Sequence, residues 1–204
     1  FNIDCTFVSI NDEKALKSAI QENTKLVFCE SIGNPGLEVS NLPRISKISH
    51  QHSLPLVVDA TFATPALCKP FDHGVDVIVH SVTKWMGGHG VAVGGVIVDG
   101  GAFDWGSSKK HPALTTPYEP FHGINFWEEF GPSALSMKIR AESMRDFGPA
   151  MSPHSAFLLL QGIETLSLRM NQHVKNALKL AKWLLEQSAV MWVNHPDLPE
   201  NPTY

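Results

Sequence analysis

An α/β fold, with a mostly parallel central sheet and helices packed on it, is what this sequence predicts, on three observations. Short apolar runs rich in β-branched residues alternate with stretches of helical period, the order that builds strand–helix–strand units. One of the runs, LPLVVDA (54–60), is apolar but for the acid on which it finishes, as in the buried strands of a parallel sheet. The composition, 43% apolar and 18% charged over 204 residues, provides for a substantial core.

The elements follow in order. Residues 3–10 alternate and predict a first strand. Asn11 or Asp12 caps a helix over EKALKSAIQE (13–22), with Ala15, Leu16, Ala19 and Ile20 on one face. KLVFCE (25–30) is the next strand, and GNPG (33–36) turns it. PRISKISHQH (43–52) is a helix started by Pro43. LPLVVDA is a strand finishing on Asp59; VDVIVHS and GGVIVD (94–99) are two more. From about 100 to 132 the chain turns to Gly, Ser, Pro and aromatic residues, a long insertion of the kind that serves function or moves. Helices then dominate, over roughly 133–147 and in one long stretch over 155–188 of the length that bridges two domains. The first residues already alternate and the last follow a helix and a Pro-rich turn, so the sequence reads as an internal fragment of a longer polypeptide.

Charge and cysteine usage narrow the partners. With 16 basic and 20 acidic residues the net charge is −4, which gives no general attraction to nucleic acid or to acidic membranes. Three scattered cysteines, Cys5, Cys29 and Cys68, do not make a disulfide framework and point to a reducing, cytoplasmic setting. No apolar run approaches the roughly 20 residues that cross a bilayer. None of the ten histidines shows a metal-ligand spacing, so no metal is expected. Trp105, Trp127 and Trp192 read as packing residues.

The chemistry concentrates in HSVTKWMGGHG (80–90), where Lys84 stands between short hydroxyl residues and a burst of glycines, with no charged neighbour besides titratable histidines. Parallel sheets bind ligands beyond the carboxyl ends of their strands, and both Asp59 and the Ser81–Lys84 stretch fall at such ends. A lysine buried there loses part of its preference for the charged form and becomes a nucleophile toward carbonyls. Ser81 and Thr83 can donate hydroxyl hydrogens to an anion, and glycines let backbone N–H groups approach it. A carboxylate such as Asp59 favours the protonated form of a pyridine nitrogen. Aldehyde, phosphate and pyridinium on one small molecule describe pyridoxal phosphate. Each residue also has a structural reading: Asp59 as a strand-end turn residue, Asn34 before Pro35 as a turn former, Ser81 and Thr83 as local backbone caps.

ESIGNPGLEV (30–39), VVDATFATP (57–65) and HSVTKWMGGHGVAVGGVIVD (80–99) resemble, in order and spacing, the Cys/Met-metabolism family of pyridoxal-phosphate enzymes. PYEPFHGINFWEEFG (117–131) and SPHSAFLLLQGIETLSLRMNQH (152–173) are similar to its O-acetylhomoserine sulfhydrylase subgroup. The resemblance implies an aspartate-aminotransferase-like (fold type I) architecture, residues 1–160 forming part of the large cofactor domain and 161–204 a bridging helix and the start of a smaller C-terminal domain. It implies that Lys84 forms the Schiff base with the cofactor and shuttles protons, that Asp59 partners the ring nitrogen, and that Ser81 and Thr83 bind phosphate. Asn34 would lie beside the cofactor's 3-hydroxyl and Thr61 near its ring. The implied reaction is γ-replacement on O-acetylhomoserine with sulfide or a thiol, giving homocysteine or methionine and acetate, in a homo-oligomer built as a dimer of dimers. A methionine γ-lyase or a cystathionine synthase or lyase would use the same residues, and a non-catalytic oligomer-forming fragment is the reading from another class. The family usually reads Asp-Asn-Thr-Phe where this chain has Ala60. Its ring-stacking aromatic residue and substrate-carboxylate arginine are expected outside these 204 residues.

Overall fold

In the structure, a computed structural model, residues 2–201 are described. Four strands form one sheet: β1 (Val27–Glu30), β2 (Leu56–Asp59), β3 (Val77–Ser81) and β4 (Gly95–Asp99), in that spatial order. β1, β2 and β3 run parallel, and β4 returns antiparallel to β3. The sheet is therefore mixed, with a parallel majority.

Helix α1 (Glu13–Ala19) precedes β1, and α2 (Leu42–Gln51) connects β1 to β2. Of the two candidate caps for α1 the structure selects Asp12, whose Oδ1 accepts the N–H groups of Lys14 and Ala15. Asn11 instead donates to Val39 O and accepts from Asn41 N, tying α1 to the α2 entrance. Asn41 caps α2 with Pro43 in its first turn. Leu42, Ile45 and Ile48 of α2 bury against Val27, Cys29, Leu56, Val58 and Ile78 on one sheet face. Asp76, 4% exposed, fastens this layer: its Oδ2 accepts Leu56 N–H at 2.7 Å and lies 2.8 Å from His50 Nε2.

The short helix α3 (Thr64–Leu67) follows β2. Beyond β4, the stretch lacking periodicity is not a loose loop. Its short helices α4 (Pro112–Thr115) and α5 (Phe126–Phe130), with α6 (Ala134–Lys138), gather Trp105, Leu114 and the fully buried Phe126 into a second core. Lys138, 7% exposed, places its ammonium 3.1 Å from the Tyr118 ring centre and pairs with Glu142. A wide π turn over Ile139–Met144 leads to α7 (Arg145–Phe147), then α8 (Pro153–Glu164) and α9 (Leu166–Leu185).

Three expectations change. The alternating segment 3–10 forms no strand; Ile3 and Phe7 are 81% and 92% exposed, because no neighbouring strand among the described residues offers it a ladder. The single long helix is two, broken at Thr165, whose hydroxyl bonds Gly162 O in place of a continued helical turn. Trp192 is 74% exposed rather than packed. No helix among the described residues is long and apolar enough to cross a membrane.

Candidate active site

The parallel register aligns the carboxyl ends of β1, β2 and β3, with Glu30 beside Asp59 and Asp59 beside Val79. Because side chains alternate along a strand, Asp59, Val79 and Ser81 share one face, and Val58, Ile78 and His80 share the other. The second face carries the core. The first is partly open: Phe28 and Ile97, which belong to it by register, are 55% and 53% exposed.

Hydrogen bonds chain the predicted site residues together. Asp59 Oδ1 accepts Thr61 N–H at 2.8 Å, Thr61 Oγ1 accepts Ser81 N–H at 2.7 Å, and Ser81 O accepts Lys84 N–H at 3.1 Å. Asp59 O also accepts Ser31 N–H, which brings the turn holding Asn34 to the same end of the sheet. Asn34 is exposed there, and its peptide bond to Pro35 is cis. Thr61 thus couples the ends of β2 and β3, a role the spacing alone does not reveal.

Two expectations about this site are corrected. Lys84 is exposed among the described residues, not held in a dry pocket. The Thr83 hydroxyl is engaged with β4, donating to Gly94 O at 3.2 Å and accepting Gly94 N–H at 2.9 Å. Ser81 makes no side-chain hydrogen bond among the described residues, and its hydroxyl is open to a ligand.

These groups fit pyridoxal phosphate in their chemistry. Among the described residues Lys84 has no acidic partner, Asp59 keeps Oδ2 uncommitted, and the glycine run leaves backbone exposed at 88–90. An amine, a carboxylate, a free hydroxyl and an unobstructed backbone are the donor set that the aldehyde, the ring nitrogen and the phosphate require. A groove of about 660 Å³ between β3, β4 and α8, lined by Ile78, His80, Val96 and Leu159, lies on the core face, opposite Asp59, and is not this site.

Three residues around the site were not singled out from sequence. His80 is 7% exposed with Nδ1 unpartnered among the described residues; burial lowers its pKa, opposed by a hydrogen bond to the Ala60 backbone and the charge of Asp59. Arg169 of α9 reaches the turn after Lys84. Gly162 of α8 touches the same turn so closely that a Cβ there would overlap Gly87 O. A helical arginine with no acid within four positions on either side was the available signal.

The homocysteine synthase of Schizosaccharomyces pombe is 46% identical over 204 residues, covering 99% of this chain and 48% of that protein. The putative O-acetylhomoserine (thiol)-lyase of Campylobacter jejuni, solved with N'-pyridoxyl-lysine-5'-monophosphate, superposes with a TM-score of 0.90 at 36% identity, over 95% of this chain and 48% of that one. The O-acetylhomoserine sulfhydrylase of Wolinella succinogenes superposes with a TM-score of 0.83 at 41% identity, over 97% and 54% of the two chains. The chain spans about half the length of the curated relatives it matches. The model of the Cys/Met metabolism PLP-dependent enzymes matches residues 1–204 from end to end, and the chain belongs to that family.

Proposed function

We propose that this chain carries the cofactor-binding part of an enzyme that exchanges the γ-acetoxy group of O-acetylhomoserine for sulfide or a thiol, giving homocysteine or methionine and acetate. The observation that carries the proposal is the hydrogen-bonded chain Asp59–Thr61–Ser81–Lys84 at the carboxyl ends of β2 and β3, in a member of a pyridoxal-phosphate-dependent family. The names of the relatives favour the sulfhydrylase over the γ-lyase and cystathionine readings.

Bound there, the cofactor supplies an aldehyde carbon for attachment of an amine and a cationic ring that accepts electron density from the substrate. Lys84 Nζ would hold the cofactor and would serve as the base that takes the proton from the substrate Cα and carries protons among its carbons. The Asp59 carboxylate keeps the ring nitrogen protonated through its charge, and the Thr61 N–H fixes the carboxylate's orientation. The Ser81 hydroxyl and the exposed amides of the glycine run would hold the phosphate. Thr83 contributes by anchoring β4 and reaches the phosphate only if it exchanges its bonds to Gly94. Asn34, exposed on the turn after β1, would lie beside the 3-hydroxyl. We place the large-domain part in residues 1–160 and the bridging helix and the start of the C-terminal domain in 161–204, and we expect a cytoplasmic homo-oligomer, a dimer of dimers.

Reconstitution with pyridoxal phosphate followed by borohydride reduction tests the assignment. Peptide mapping is expected to find the cofactor fixed on Lys84, and Lys84→Ala to lose both the label and turnover of O-acetylhomoserine with sulfide. Label on another lysine, or full turnover in Lys84→Ala, removes the assignment. Faster cleavage of methionine or cystathionine than O-acetylhomoserine turnover selects the sister activities.

A further inference from the structure

The turn that carries Lys84 is held from outside by one side chain. Arg169 Nη1 donates to Trp85 O at 2.8 Å; Nη2 donates to Met86 O at 3.3 Å and to Gly162 O at 2.7 Å; Nε donates to Thr165 Oγ1 at 3.0 Å. No carboxylate pairs with this guanidinium among the described residues, so its planar fork is committed to backbone and hydroxyl acceptors. The surroundings leave room for it. Gly88, with φ +72°, lies against the guanidinium where a Cβ would collide with it, and Gly162 meets Gly87 backbone to backbone. The Trp85 ring packs on His173, one turn further along α9, with centres 4.8 Å apart.

Within the turn, Lys84 N–H bonds Ser81 O, Gly87 N–H bonds Val82 O and Gly88 N–H bonds Lys84 O. These bonds leave the carbonyls of Trp85 and Met86 for the arginine. A run containing three glycines in four residues has wide backbone freedom, and fixing it has an entropic cost that such contacts must offset. We propose that Arg169 is the positioning residue for Lys84: it locks the lysine turn against the α8–α9 junction and so fixes where the amine is presented to the cofactor. Arg169 touches no reacting atom. A lysine at 169 keeps the charge but lacks the fork, and holds at most one of the carbonyls well. The inference rests on Lys84 being the cofactor lysine, although the lock itself is a property of the cofactor-free chain.

The test therefore has two arms. Hydrogen exchange on the cofactor-free chain is expected to show the amides of Gly87 and Gly88 exchanging at least about tenfold faster in Arg169→Ala than in the parent, with amides of β2 and β3 unchanged. Arg169→Lys is expected to fall between the two. Thr165→Val, which removes the Nε partner and the hydroxyl bond to Gly162 O but leaves the arginine's Nη bonds to the turn carbonyls, keeps the test open should Arg169→Ala fail to fold. Unchanged exchange at Gly87 and Gly88 overturns the proposal. In the second arm, with pyridoxal phosphate added, Arg169→Ala is expected to shift the pH profile of borohydride fixation at Lys84 and to lower kcat more than it raises KM. Accelerated exchange with an unaltered fixation profile makes Arg169 a structural brace alone and also overturns the proposal. If the parent chain fixes no cofactor on Lys84, the functional reading fails, while the exchange arm still decides the lock.

Discussion

Thr61 joins two strands through two different groups. Its amide orients the Asp59 carboxylate and its hydroxyl accepts the amide of Ser81, so the ring-nitrogen partner and the start of the lysine turn move together. Thr61→Val keeps the shape and the amide but strands the Ser81 N–H in a half-buried position. A cost of about 1–2 kcal/mol in urea unfolding is expected, with Thr61→Ser recovering most of it. At this scale the sequence shows which residue types meet at the strand ends, because a strand that finishes on a polar residue declares where its ligand side lies. It does not show what else those side chains touch. The bonds of Thr83 to Gly94 depend on β4 folding back against β3, and the exposure of Lys84 depends on what stands above the sheet. Neither is encoded within a few residues. The role of Arg169 is not legible locally for a related reason, since the two turn carbonyls it holds lie more than eighty positions earlier in the chain.

At the scale of elements, the strands β1 to β4 and helices α1 and α2 follow from alternation, caps and apolar faces, all of which are local signals. The segment 3–10 has the same alternation but no ladder, which shows that a β pattern needs a neighbour to become a strand. The junction of α8 and α9 shows the opposite case, where the leucine spacing runs straight through a break. The break places Gly162 and Thr165 where α8 meets the lysine turn and Arg169 can reach both. Gly162 is a contact point rather than a gap in the pattern. In Gly162→Ala the new methyl must displace the Gly87 carbonyl, since backbone rather than a flexible side-chain tip stands in its way. A loss of about 1–3 kcal/mol in chemical denaturation is expected, despite the better helix propensity of alanine. An alanine variant as stable as the parent would mean that α8 and the turn separate freely.

The whole molecule carries its ionisable groups so that stability is bounded on both sides of neutrality. On the acid side, burial lowers the pKa of His80, countered by the Ala60 carbonyl and Asp59; burial together with Lys25 and Lys110 lowers that of His111, countered by the Ser53 carbonyl. As pH falls through the ordinary value of 6.5, the unfolded chain takes up protons at these sites before the folded one does, so stability declines from there downward. On the alkaline side, burial pushes the Cys29 thiol from 9.0 up to about 11, outweighing its hydrogen bond with Ser40. Cys68 is raised as well, by burial and by Asp72. Above 9.0 the unfolded chain releases these protons first, and stability declines as pH rises toward the folded values. Denaturation midpoints measured across this range are therefore expected to form a plateau between about pH 6.5 and 9, with a falling limb on each side. His80→Gln, which cannot take up a proton at this position, is expected to flatten the acid limb and leave the alkaline limb in place. Cys29→Ala is expected to do the reverse. An acid limb as steep in His80→Gln as in the parent would show that His80 titrates alike in the folded and unfolded chains, and that its burial does not disfavour the protonated ring.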